Sequence, residues 1–413
     1  TTLDALAALQ AAWWQRPSPA AYGYDEPDDW DAIKALVPAA TLTARTPCSD
    51  ALIADRVLAG WQGRCAGCQL GKPLEGTTWP DKIRTVLELV GSWPLDDYMN
   101  PTPPGISIEE LPDCDFFKRG NDWRNTLCKG NFDHVAPDDD IHYTLTSQIV
   151  LEKHGPHFSP QDLLKEFLAV TPLSCLWASG RNMFRTAVFG MAPPHTALFG
   201  NPCRQSLGGM IRCDAWGWGA PGNPALAAWM AWKDAHCSQT RNGIYAAMFF
   251  AALIADVIAH GDLPRALATA AQFVPPRSRF AEMLRLVQDW CAHLPDWQAV
   301  NCAILDRWPA ESKRFNHAIP NAAIVLTGLL MGGGDFSRTL GVTVMCGLDT
   351  DCTGATAGSI FGCTHGTRAI PARWITPFHD TIRTDLKGMP HLTISGVARR
   401  MAAVAQRCAQ TAI

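Results

Sequence analysis

The sequence is poor in charge: 18% of its 413 residues are charged, the formal net charge is −4, and no run of Lys or Arg forms a stripe that would track a phosphate backbone. Nucleic acid is therefore not an expected partner. No apolar stretch reaches the roughly 20 residues that span a bilayer, since the longest, Ile244 to Ala255, stops at Asp256. No membrane partner is expected either. Thr1 to Gln15 lacks the basic segment followed by an apolar one that marks a secretory leader. A phosphate-binding loop is missing, and so is a Gly-x-Gly-x-x-Gly after a strand, which leaves nucleotide hydrolysis and dinucleotide redox chemistry without support. Strands with period-two alternation are scarce, and no repeat of fixed period is found. The 15 Cys are odd in number and scattered from Cys48 to Cys408, which fits reduced thiols better than a disulfide framework, so a cytoplasmic protein is expected. Cys65-x-x-Cys68 has no second pair at zinc-site spacing and reads as structural.

What is present points to a large helical core. Hydrophobic residues make up 47% of the chain and there are 16 Trp, a composition that folds rather than stays disordered. Helical periodicity dominates, so the fold class is mainly α. Ser159-Pro160-Gln161-Asp162 has an N-cap Ser, Pro at the first helical position and an acid three residues after the cap, and Pro172 closes the helix. From Gly243 to His260, Ile244, Ala247, Met248, Ala251, Ile254 and Ile258 recur at three and four, a buried stripe ended by Gly261. Prolines break the pattern twice. Residues 17 to 50 read as an irregular extension on the surface, giving an N-terminal segment 1–50 ahead of a helical domain 51–413. Residues 91 to 137 mix six Pro with Trp93, Tyr98, Phe116, Phe117 and Trp123 and read as a lid or substrate wall.

The chemistry sits in acids. Asp138-Asp139-Asp140 precedes Ile141, Leu145 and Ile149 at helical spacing, which puts the acids at a helix N-terminus. One Asp there is a cap worth about 1 kcal/mol; three exceed that need, and adjacent carboxylates repel unless one is protonated or a cation sits among them. Gly347-Leu348-Asp349-Thr350-Asp351-Cys352 repeats the arrangement before a helix expected at Thr353 to Cys363. Gly354, Gly358 and Gly362 form a ridge at spacing four on that helix, as do Gly63, Gly67 and Gly71 on the helix starting near Asp55. A helix-interior Gly costs about 1 kcal/mol relative to Ala, so two such thin faces are expected to pack together and draw the acidic ends into one pocket. Oxygen ligands of this kind suit Mg²⁺, Mn²⁺ or Ca²⁺. His142 is expected to face the pocket or the core rather than bind metal, His154 and His157 to lie at the surface, and Trp216 and Trp218 to pack rather than stack on a ligand.

Four stretches resemble the ADP-ribosylglycohydrolase family: Gly60 to Glu75, with Gly60, Gly63, Gly67, Gly71 and Glu75; Asp138 to Thr144; Gly208-Gly209-Met210-Ile211-Arg212; and Asn321 through Gly362. The resemblance implies a single large orthogonal bundle of helices, all-α, binding one or two Mg²⁺ ions, with Mn²⁺ as the substitute, and acting on an ADP-ribosyl or other ribosyl substrate. Carried over, Asp139, Asp140, Asp349 and Asp351 become metal ligands, joined by Asp138 and Cys352 at the neighbouring positions. Glu75, Asp139 and Asp351 become catalytic, and Gly208, Gly209, Met210 and Arg212 line the ligand. Three departures mark a divergent branch: Asp138 where the family has Thr or Ser, Cys352 where it has Thr, and Cys68 where it has Asp. A thiol is a poor ligand for Mg²⁺, so the metal count stays open. The expected reaction is hydrolysis of a ribosyl N- or O-glycosidic bond. The alternatives are hydrolysis of a small N-riboside metabolite, or a catalytically silent relative that binds ADP-ribose or serves structurally.

Overall fold

The computed structural model describes residues 22–75, 79–103 and 126–408, with Ala5, Ala8, Leu9, Ala12 and Thr411 besides. Helices dominate, and the strands among the described residues are Thr381–Arg383 and His391–Thr393, a short antiparallel pair beside Val135. The fold is all-α, as the periodicity predicts. The helices that build the core and the site are α1 (Asp50–Gly71), α2 (Asp139–His154), α3 (Pro160–Val170), α4 (Asn242–His260), α5 (Ala318–Met331) and α6 (Thr350–His365).

At the centre lies α4. It is long and apolar enough to cross a membrane by length and composition, yet its residues are buried inside the molecule. The stripe read from the sequence understates this: Ala246, Ala252 and Ala255 bury the remaining faces, so neighbouring helices enclose α4 on every side. Gly261 takes the left-handed conformation (φ 62°) at its C-terminus, and the Gly261 N–H donates to the Val257 carbonyl. α5 is enclosed in the same way, whereas Arg279–His293 and Ile394–Cys408 bury one face only. α3 forms as its signals predict, with Ser159 and Asp162 making a reciprocal capping box and Thr171-Pro172 following its last turn.

The joint that positions the site is antiparallel packing of α1 on α6. Built at Gly63, a Cβ would meet the carbonyl of Gly358; at Gly67, that of Gly354; at Gly71, that of Thr350; at Gly362, that of Ala59. Each of these approaches is closer than 3.0 Å and is to backbone, which no side-chain rotation relieves. The two glycine ridges are therefore one seam. Its register sets the last turn of α1 against the first turn of α6. α6 itself begins earlier than the sequence suggests, at Thr350, because Gly347 (φ 88°) and Leu348 (φ 62°) turn the chain sharply and free Asp349 to be the N-cap.

The described parts of the two proline-rich segments are held against the body of the protein. Within residues 22–50 there are one-turn helices at Trp30–Lys34, capped by Asp29, and at Ala39–Thr43, started by Pro38. The segment is tied to the body by Glu26 on Arg279 and by the Pro27 carbonyl, which accepts from Tyr245 Oη at 2.6 Å. Residues 104–125 of the expected lid lie outside the described residues. Its flanks are held down: Tyr98 Oη donates to the Trp374 carbonyl at 2.7 Å, and Gln69 on α1 donates to the Leu127 carbonyl and accepts from the Ala136 N–H. The described cysteines, Cys65 and Cys68 among them, are free thiols.

Gly67→Ala is expected to destabilise the fold by roughly 3 kcal/mol or more, since a methyl forced into backbone exceeds the usual cost of overpacking. Urea unfolding measures it; a change under about 0.5 kcal/mol, the range of neutral surface substitutions, would refute the seam.

Candidate metal and active site

Three chain ends meet at one edge of the α1–α6 seam. α1 runs out at Gly71 and passes through a 3₁₀ turn, Lys72–Leu74, where Pro73 cannot continue the backbone ladder, to Glu75. α2 begins with Asp138 as N-cap, and α6 begins with Asp349. The positive ends of two helix dipoles thus face the acids, while Lys72 sits at the negative end of α1.

The caps are unequal. Asp138 Oδ1 accepts from the Asp140 N–H at 2.9 Å, an ordinary cap. Asp349 makes no side-chain cap bond; its N–H donates to Asn321 Oδ1 of α5, and its buried Oδ1 has no hydrogen-bond partner. Its carboxylate is turned into the cluster instead of onto its own helix. Asp140 Oδ2 is likewise buried and unpartnered. Ligand-capable atoms of Asp139, Asp140 and Cys352 lie within 4.8 Å of one another, and so do those of Asp349, Asp351 and Cys352. The two acidic motifs, two hundred residues apart in sequence, therefore converge, with the Cys352 thiol between them. A third such group is Cys68, Asp138 and Asp140.

Two cations are built into this cluster, and neither was assigned a role from the sequence. Lys72 Nζ pairs with Asp138 Oδ2 and lies 3.2 Å from Glu75 Oε2 and 3.4 Å from Asp351 Oδ2. Arg64, fully buried on α1, donates to Asp140 Oδ1 at 2.8 Å and to the Asp140 carbonyl at 2.9 Å, and also pairs with Asp214. Asp214 is held in turn by Ser359 Oγ of α6 at 2.9 Å. A signal for Arg64 was available: an arginine one residue after a ridge glycine on a thin, buried helix must meet an anion, because a buried unpaired charge is prohibitive. For Lys72 the signal was its spacing of three from Glu75.

Electrostatics follow from burial and crowding. Burial first, then the Asp351 carboxylate, push Glu75 up to about 7 against the pull of Lys72. Asp139, Asp140 and Asp349 are raised well above the carboxylate range, chiefly by burial and then by neighbouring carboxylates, with Arg64 opposing at Asp140. Asp138 is the exception: burial opposes its charge, but Lys72 outweighs it and holds the carboxyl low. Lys72 is itself disfavoured by burial, yet the surrounding acids keep it firmly protonated. Burial and four nearby carboxylates push the Cys352 thiol far up, so it stays neutral.

Several sequence-assigned residues stand elsewhere. Leu207–Arg212 is a 3₁₀ helix, buried but for the partly exposed Gly208, and the Arg212 guanidinium is fully buried, bound to Asp234, the Gly208 carbonyl and Ser238 Oγ. In place of lining a ligand, Arg212 braces the core, because Asp234 is the buried anion that neutralises it. Met210 is fully buried, and a Cβ on Gly208 would press on Ser179 Oγ at 2.7 Å while one on Gly209 would touch Ala235. The segment touches the acidic cluster through the Ile211 carbonyl, which accepts from Arg64 and from Thr144 Oγ1. His142 is buried and accepts from the Asp385 N–H through Nε2. Trp216 and Trp218 are buried, bonded to Asp234 and to Cys363 Sγ, and so pack as expected. His157 is exposed; His154 is half-buried against Glu166.

Comparison with curated proteins finds no match. Among solved structures, one described as an ADP-ribosylglycohydrolase-related protein complex aligns with a TM-score of 0.53 over 86% of this chain and 99% of its own, at 19% identity, a likeness of fold. The family model for ADP-ribosylglycohydrolase matches residues 49–410, from the N-cap of α1 to the end of the last helix, and takes in all the acids described. The chain therefore belongs to the ADP-ribosylglycohydrolase family and has the hydrolase character, at the level of glycohydrolase, that this membership carries.

Proposed function

We propose that this protein hydrolyses the ribosyl N- or O-glycosidic bond of an ADP-ribosylated substrate, using a divalent cation, Mg²⁺ by preference, held by Asp139, Asp140, Asp349 and Asp351. The observation that carries the reading is the pair of buried carboxylate oxygens, Asp140 Oδ2 and Asp349 Oδ1, left without a hydrogen-bond partner at the meeting of two helix N-termini. A buried anionic oxygen without a partner is costly, and a hard cation answers both at once. The donors fit: the carboxylate oxygens are hard, and the Cys352 thiol, kept neutral by its neighbours, offers little to Mg²⁺. When bound, such an ion supplies Lewis-acid charge that orients ribose hydroxyls and makes water a better nucleophile.

The remaining roles belong to the chain. Breaking a ribosyl bond develops positive charge at the anomeric carbon, and the Asp139 and Asp351 carboxylates stabilise it electrostatically. Glu75, with 22% of its side chain exposed and its carboxyl held at about 7, stands where it both meets solvent and exchanges a proton near neutrality. It takes the proton from the attacking water, and an acid-base group so placed contributes about 10²- to 10⁴-fold. Asn321 fixes the backbone of Asp349, and Arg64 fixes Asp140, so neither acid has to be ordered when substrate arrives.

Release of ADP-ribose from a modified protein, measured beside release of base or sugar from a panel of free ribosides, tests the reading. Asp139→Ala and Asp351→Ala are each expected to cost at least about 100-fold in kcat, and Glu75→Gln a similar factor. Full turnover by both Asp variants in metal-replete buffer would end the proposal; activity on the free ribosides alone would move the substrate to a small metabolite.

The raised Glu75 carboxyl also links stability to pH. In the unfolded chain Glu75 titrates near 4.5, and in the folded chain at about 7. Its favourable contribution is thus present in full below 4.5 and is lost as pH rises through about 7. In chelator, Glu75→Gln is expected to gain on the order of 2 kcal/mol relative to the parent protein between pH 5 and pH 8. Paired urea titrations at the two pH values measure it, and no change in the difference would contradict the assignment.

A further inference from the structure

Resting on the metal reading above, we propose that Lys72 is a resident cation that fills one half of the acidic cluster, so that the protein binds one divalent ion per chain and not two. The acids divide by the cation they face. Asp138 and Glu75 face Lys72 Nζ, the latter at 3.2 Å, and Asp351 stands between the halves, with Oδ2 3.4 Å from Nζ while its carboxylate also groups with Asp349 and Cys352. An ion placed among these three would have to displace an ammonium group already there. That displacement is obstructed by how the lysine is held. Lys72 follows directly on Gly71, whose Cα abuts the Thr350 carbonyl at the end of the seam, and Thr350 Oγ1 donates to the Gly71 carbonyl at 2.8 Å. Pro73 then fixes the next residue, so the stem of Lys72 starts from a backbone with no freedom to retreat.

Among the described residues the other half has no such occupant. Asp139 and Asp140 on one side and Asp349 and Asp351 on the other group about the Cys352 thiol, and Arg64 reaches this half through Asp140 Oδ1. Asp140 is fully buried and Asp349 is 5% exposed, and each aims an unpartnered oxygen into this half. Asp138 Oδ2 also makes no hydrogen bond, but it is ion-paired with Lys72, whereas no ion pair among the described residues reaches Asp140 Oδ2 or Asp349 Oδ1. Asp138, an acid in addition to the Asp139-Asp140 pair, fits the same division, since its carboxylate serves the lysine and caps α2.

The experiment counts ions. Mn²⁺ titrated into metal-free protein, followed by the loss of its free paramagnetic resonance signal, is expected to give one bound ion per chain. Lys72→Met, prepared in the presence of Mn²⁺, is expected to hold two. Anomalous diffraction from Mn²⁺-soaked parent crystals, which does not depend on any variant folding, is expected to give one peak beside Asp139, Asp140 and Asp349 and none between Asp138 and Glu75. Two ions in the parent protein would overturn the role of Lys72 and leave the metal reading intact, and so would one ion in both proteins. No ion in the parent protein would remove the metal reading and this inference together.

Discussion

The glycine seam between α1 and α6 is the constraint on which the site depends. Packing two helices backbone to backbone sacrifices the side-chain burial that a normal helix contact supplies, and each helix-interior glycine costs about 1 kcal/mol besides. What is gained is position. With no side chains between them, the helices cannot slide or roll, because at Gly63, Gly67, Gly71, Gly358 and Gly362 any shift drives backbone into backbone. The last turn of one helix is thereby locked against the first turn of the other, and Lys72 and Glu75 are set beside Asp351. Arg64 extends the lock to α2 by gripping Asp140, and through Asp214 and Ser359 it returns to α6.

Around that joint the protein concentrates negative charge far beyond what caps require. Asp138 caps its helix; Asp349, at the equivalent place on α6, does not, and that contrast separates a structural acid from one kept in reserve. Two cations of the chain offset part of the charge, each in a different manner. Arg64 is fully buried and fork-bonded, which makes it a fixture of the fold. Lys72 is a point charge at the rim, 19% exposed, and its reach is short: it holds the neighbouring Asp138 low, whereas burial and then the surrounding carboxylates drive Asp139 and Asp349 up. Burial, and then the Asp351 carboxylate, bring Glu75 to about 7, the range in which a carboxyl can both give and take a proton.

Much of this was legible in the chain because it rests on local rules. Glycines at spacing four on two helices announce a close approach whatever the fold, and three consecutive acids exceed the need of one cap. The capping box at Ser159, the buried stripe of the helix Asn242–His260 and the packing of Trp216 and Trp218 follow likewise from periodicity and chemistry. Misplacements came where a motif was read without its partner. Arg212 looked like a ligand contact until Asp234, twenty-two residues on, took its guanidinium, and the irregular text of residues 22–50 concealed two one-turn helices, one capped by Asp29, in a segment docked through Glu26 and Pro27.

The sequence alone marked the candidate carboxylates and the thin helix faces, since residue type and short spacing suffice to place acids at helix starts and glycines on one helix face. Tertiary structure alone decided how those residues divide the work. Charge interactions between groups distant in sequence depend on separations of a few ångströms and on burial. Neither is defined until α1, α2 and α6 are packed, so the pairing of Lys72 with Asp138, the commitment of Arg64 to Asp140 and the unpartnered oxygen of Asp349 exist only in the folded chain.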